Sequence, residues 1–139
     1  MDATREKLIR SSFASQGLMR TIGAEIAAIS AGALELGFAF SPALTQQNGF
    51  VHAGAVASVM DSACGYAAWT VAPDGTNVLS VEFKVNLLAP AAGESFVVRS
   101  QVKRAGKTLT IVTADAFAIQ SGKEKAIATM LATMINRPE

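Results

Sequence analysis

In the run AGAVASVMDSACGYAAWT (Ala53–Thr70), Asp61 is the single charged residue among small and apolar neighbours. An unpaired buried carboxylate is costly, so proteins neutralise it, pair it or put it to use. No Lys or Arg lies within one helical turn of Asp61. In a partly dry cleft such a group can act as general base or nucleophile. The plainer alternative is a structural carboxylate that caps a neighbouring segment or faces a solvent pocket. The start of the same helix offers complementary chemistry. Ala53 and Gly54 fall in its first turn, where free N–H groups and the helix dipole favour negative charge and can hold a developing oxyanion. Gly49 and Gly54 let a bulky ligand come close to the backbone. Ala53 and Asp61 are eight positions apart, roughly 12 Å along one helix, too far for both to touch one carbonyl group. If both act on one substrate they come from two chains, which puts the site across a dimer interface.

These residues need elements to position them. Thr4 to Phe13 reads as a short surface helix with Leu8 and Ile9 on its apolar side. MRTIGAEIAAIS (from Met19) and ALELGFAF (from Ala33) read as two strands joined by a turn at Ala31-Gly32, the second ended by Ser41-Pro42. The loop ALTQQNGFV leads into the apolar helix, which lacks a polar stripe and so is enclosed. Pro73, Asp74 and Gly75 break it. Leu79, Val81, Phe83, Val85 and Leu87 then alternate with polar residues, as in a strand with one apolar and one polar face. Three more strands follow, SFVVRSQVKR, KTLTIVTADAFAIQ and KAIATMLATMI, and the final NRPE reads as a frayed end. The economical arrangement of these elements is an α+β fold, one antiparallel sheet wrapped around one long central helix. Such a sheet has free edges, which a dimer continuing the sheet across a two-fold axis would cover.

Bulk properties exclude several classes. A chain of 139 residues, half of them hydrophobic and 17% charged, suits one folded domain, residues 1–139. Twelve basic and 11 acidic residues leave a net charge of +1, so no basic surplus argues for nucleic acid. The single cysteine allows no internal disulfide and fits a reducing compartment. The N-terminus lacks the apolar core of a signal peptide, and the most apolar stretch contains Asp61 and too many small residues for a membrane span. The expectation is a cytoplasmic protein without membrane or nucleic-acid partners. One His and one Cys do not make a usual metal site.

NGFVHAG, with Asp61 nine positions after His52, resembles the G-x-x-H-G-G…D/E signature of hotdog-fold acyl-CoA thioesterases, nearest to the phenylacetate-degradation (PaaI-like) branch. LSVEFKVNLLAPAAG resembles the strand and Pro…Gly turn that follow the central helix in that family. The resemblance covers roughly Gly17 to Met134 in element order, and its specific motifs about three dozen positions. It implies hydrolysis of a small aryl- or medium-chain acyl-CoA, with no cofactor beyond the coenzyme A of the substrate, in a homodimer with shared sites that can pair into a homotetramer. Asp61 matches the catalytic carboxylate. Ala53 matches the residue whose backbone N–H polarises the thioester carbonyl, although glycine is usual there. Gln46 matches a polar position more often Asn, which orients the nucleophile or contacts the thioester. Ser80 matches a hydroxyl that places the water. His52 matches the family histidine, whose role is to fix the loop. Asn48, Gly54 and Gly65 join the substrate-binding positions.

Other residues have plain readings beside functional ones. Arg104 and Lys107, at a hairpin tip, can meet the phosphates of coenzyme A or simply face solvent. Cys64 can line the pocket or be an inert buried thiol. Tyr66 and Trp69 can face the acyl group or pack under the sheet. Two rival functions remain open: a hotdog-fold hydratase or dehydratase, which would use His52 for proton transfer, and a non-catalytic acyl-CoA-binding module.

Overall fold

In the computed structural model, which describes residues 1–139, the chain forms three α-helices, one 3-10 turn and six strands. In order they are α1 (Ala3–Ser15), α2 (Gly17–Ile22), β1 (Glu25–Ser30), β2 (Ala33–Ala39), the turn Pro42–Leu44, α3 (Ala53–Trp69), β3 (Thr76–Leu87), β4 (Ser95–Ala105), β5 (Leu109–Gln120) and β6 (Lys123–Pro138). All strands pair antiparallel in one sheet of order β1-β2-β4-β5-β6-β3. The sheet wraps α3, giving the hotdog architecture.

The packing of α3 against the sheet follows from residue size. Ala63, Ala67 and Ala68 of the helix are fully buried, as are Ala114, Ala116, Ala128 and Ala132 on β5 and β6. Small side chains on both surfaces let the helix lie close to the strands, while Met60, Met130 and Met134 fill the remaining gaps. The buried Ser100 hydroxyl lies 2.9 Å from Ala63 O and 3.0 Å from Leu34 O, which ties the helix to the middle of the sheet.

Three local expectations are corrected. Met19 does not open a strand: Gly17–Ile22 is helical, and β1 begins at Glu25. Gly23, at φ 82°, ends that helix in the left-handed conformation, with its N–H donating back to Met19 and Arg20 carbonyls. The last residues are not frayed, because β6 continues to Pro138 opposite Thr76. The third correction bears on function. A bulge at Val81 divides the alternating run of β3. On the C-terminal side, Phe83, Val85 and Leu87 sit opposite Ala132, Met130 and Ala128 and share their inner face. On the N-terminal side the inner positions are Ser80 and Val78, opposite Met134 and Asn136. Without the bulge Ser80 would point away from α3.

β3 is an edge strand, and its apolar residues are poorly covered: Val81 is 53% exposed, Phe83 43% and Leu87 59%. No helix is long and apolar enough to cross a membrane.

Candidate active site

The segment before α3 is built to deliver its first turn. Gln46 N–H donates to Phe50 O at 2.8 Å, and Gly49, at φ 85°, donates to Gln46 O at 3.1 Å, closing a tight loop. Gln46 Oε1 accepts from Asn48 N–H. His52 N–H is anchored to Leu44 O at 2.8 Å. His52 is the N-cap of α3: its Nδ1 accepts the Gly54 N–H at 2.7 Å, and its carbonyl receives Ala55 N–H at 3.0 Å. That bond makes Nδ1 the unprotonated ring nitrogen of the neutral imidazole. Ala53 N–H has no partner within the chain. It lines a mainly apolar cavity of about 680 Å³ with Gln46, Phe50, Val56, Leu87, Pro90 and Ile127.

Asp61 lies two turns further along α3, half-buried. Its Oδ1 accepts a hydrogen bond from Ser80 Oγ at 2.6 Å, which the bulge at Val81 makes possible. The carboxylate borders a second, more polar cavity of about 310 Å³. Ser62, Gly65, Tyr66 and Trp69 of α3, Asn77 to Ser80 of β3, and Ser12, Ser15 and Gln16 of the N-terminal segment surround it. Ser62 Oγ donates to Gln16 Oε1 at 3.0 Å, and the Ser12 and Tyr66 hydroxyls lie 3.0 Å apart. Burial raises the Tyr66 phenol above its ordinary range, against the lowering effect of bonds to Ser12 and Gln16.

The candidate residues therefore fall into two separate groups within one chain. Gln46, His52 and Ala53 share the apolar cavity, and Asp61, Ser80 and Gly65 share the polar one. Leu87 in the first and Ser80 in the second are seven residues apart on one strand, roughly 23 Å. Arg104, Lys107 and Asn48 are exposed and border neither cavity. Gly54 also lies outside both linings, and the space a side chain would take there belongs to the His52 ring.

Cys64 is fully buried, and its thiol is pushed up to about 12, first by burial and second by the Asp61 charge. Tyr66 and Trp69 do two jobs at once, bordering the polar cavity while packing to 7% exposure. No three His, Cys, Asp or Glu side chains gather as metal ligands. The contribution of Ser12, Ser15 and Gln16 was not evident in the sequence. The two serines are spaced as one helix face, but that pattern equally describes a solvated surface.

The profile of the thioesterase superfamily matches residues 48–125, which include His52, Ala53, Asp61, Gly65 and Ser80 but not Gln46. The chain belongs to that superfamily. A thioesterase family protein from Silicibacter pomeroyi has the same fold at 49% identity and a TM-score of 0.95, over 97% of this chain and 99% of that one. A candidate esterase of Saccharolobus solfataricus is 33% identical over 116 residues, 82% of this chain and 73% of its own length. The E. coli PaaI protein of the phenylacetic acid degradation operon shares the fold, with a TM-score of 0.84 at 16% identity, over 97% of this chain and 94% of its own.

Proposed function

We propose that the protein hydrolyses a small aryl- or medium-chain acyl-CoA to the free acid and coenzyme A, at two sites each shared between two protomers. The observation that carries this reading is the separation of an unpartnered Ala53 N–H from a Ser80-held Asp61 carboxylate within one chain. Pairing two exposed β3 edges antiparallel, about a two-fold axis near the middle of the strand, brings them together. The Leu87 end of one strand then lies beside the Ser80 end of the other, and one protomer's apolar cavity adjoins its partner's polar cavity. The exposed apolar side chains of β3 supply the driving force.

In such a site the Ala53 N–H, at the positive end of α3, takes the carbonyl oxygen and the negative charge that develops on it. Asp61 of the other protomer faces the carbonyl carbon. Two routes fit its placement. In one, Asp61 removes a proton from water as the water oxygen bonds to carbon. In the other, a carboxylate oxygen bonds to carbon itself and water then cleaves the resulting anhydride. In both, the C–S bond breaks, the thiolate leaves and is protonated, and one water is consumed. Gln46 and Ser80 hold the reacting groups, and His52 acts through the cap. Because Nδ1 is already committed to Gly54 N–H, a proton-transfer role, as a hydratase would need, fits His52 less well.

The remaining parts of the proposal are a cytoplasmic location and pairing of dimers into tetramers through the outer sheet face, where Leu109 and Leu131 are about half exposed. Thiol release from a panel of acyl-CoAs, with wild type and Asp61→Asn side by side, tests the chemistry. Turnover should fall at least 100-fold in the folded variant while CoA-ester binding persists. Equal turnover in both would remove Asp61 from the mechanism. Sedimentation of Phe83→Glu tests the assembly: a dimer through β3 should dissociate and lose activity.

A further inference from the structure

Gly65 is a glycine that the fold does not require. It lies in the interior of α3, where glycine is less favourable than alanine. A Cβ built on it meets no atom within 4 Å, so packing does not exclude a side chain. Its conformation is helical rather than left-handed, so backbone strain does not demand glycine either. Gly54 differs, because a Cβ there would lie 2.9 Å from His52 Nδ1. The open space above Gly65 is the polar cavity, and Gly65 follows Asp61 by one helical turn on the same face.

That cavity has a back wall. The Gln16–Ser62 and Ser12–Tyr66 hydrogen bonds hold the N-terminal segment across it, with Trp69 at its far end. Its volume of about 310 Å³ is at the small end for ligand pockets. The apolar cavity, at about 680 Å³, is more than twice as large. A thioester held at Asp61 has a short acyl arm and a long pantetheine arm whose nucleotide must reach solvent. The smaller, backed compartment suits the acyl arm.

We infer that Gly65 sets the size limit for the acyl group, by leaving the floor of the polar cavity beside Asp61 open. This deepens the proposed function and rests on its assignment of Asp61 to the thioester. Gly65→Ala should narrow the compartment by a methyl group, and Gly65→Val by a bulkier isopropyl group beside Asp61. The acyl tail, not the CoA moiety, should register the change.

The test compares wild type, Gly65→Ala and Gly65→Val with acetyl-, butyryl- and phenylacetyl-CoA, and with the corresponding non-hydrolysable thioethers for equilibrium binding. Thermal unfolding of each variant is followed in parallel. Gly65→Ala should unfold at the same temperature as wild type or higher. Its kcat/KM should fall at least tenfold for phenylacetyl-CoA and less than twofold for acetyl-CoA, with thioether Kd values moving in the same order. An equal loss for all three acyl groups, or no loss for any, in a variant that unfolds like wild type would overturn the size limit. Size-graded thioether binding without thiol release by wild type would retain the size limit and overturn hydrolysis. Wild type that neither binds nor cleaves any of the compounds would overturn both.

Discussion

Ser80 Oγ donates to Asp61 Oδ1 at 2.6 Å, across the gap between edge strand β3 and helix α3. This bond occupies one carboxylate oxygen and leaves the other free toward the cavity. It exists because the bulge at Val81 turns Ser80 onto the inner face.

The first prediction concerns that bond. Ser80→Ala should fold as wild type does, since Ser80 is exposed and no core contact is lost. A hydrogen bond to a charged group contributes about 1.5–3 kcal/mol. If much of that orients Asp61 in the transition state, kcat should fall by about 10- to 100-fold, with KM little changed. Steady-state kinetics on the best acyl-CoA from the panel checks it, and an unchanged kcat would free Asp61 from Ser80.

The His52 cap gives a second prediction. His52→Ala removes the acceptor for Gly54 N–H and should destabilise the protein by about 1 kcal/mol. His52→Asn can still cap, so its stability and turnover should stay within a few-fold of wild type. Gly54→Ala should behave like His52→Ala, because the new Cβ displaces the ring. Denaturant titration and thiol release on the three variants read both effects. A large activity loss in a stable His52→Asn would instead point to proton transfer.

At the other end of α3, the Arg5 guanidinium donates to Trp69 O at 2.7 Å and Ala72 O at 3.1 Å, and pairs with Asp74. The Arg5 side chain is 14% exposed, whereas that of Asp74 is fully exposed. Arg5→Ala leaves helix-end carbonyls without their cation and should lower stability by about 1.5–3 kcal/mol. Asp74→Ala should leave the unfolding midpoint nearly unchanged, because an exposed ion pair contributes little. Parallel melts of the two variants separate these contributions.

Cys64 supplies a pH prediction. Its thiol is raised from 9.0 to about 12 in the folded chain. Below pH 9 both folded and unfolded thiols are neutral, and the stability linked to Cys64 is fully present. As pH rises from about 9 through 12 the unfolded thiol ionises first, so that stability is progressively lost. Native protein at pH 8 should resist iodoacetamide and react only when unfolded, as mass spectrometry would show. Rapid labelling of the native state would contradict the burial.

Much of the framework was legible in the sequence because it depends on local pattern. The apolar run with one acid marked α3 and Asp61, and eight positions of helix set the distance from Ala53 that points to a shared site. The wrapped antiparallel sheet followed from the order of elements and the need to cover one apolar helix. Gly23 also carried a readable signal, a helix stop, but apolar neighbours on both sides made the segment look like one strand.

Tertiary structure alone decided the rest. Alternation in β3 predicted one continuous apolar face, yet pairing with β6 introduced a bulge that turned Ser80 inward to Asp61 while Leu87 kept its place on the inner face. A bulge records a mismatch between two strands and is not written in either one. The same holds for Ser12, Ser15 and Gln16, whose polarity reads as surface until α1 and α2 dock across α3. It holds for Gly65, whose open floor is visible only when the atoms around it have places. Sequence set the chemical groups and their spacing along the chain; long-range pairing decided which faces meet.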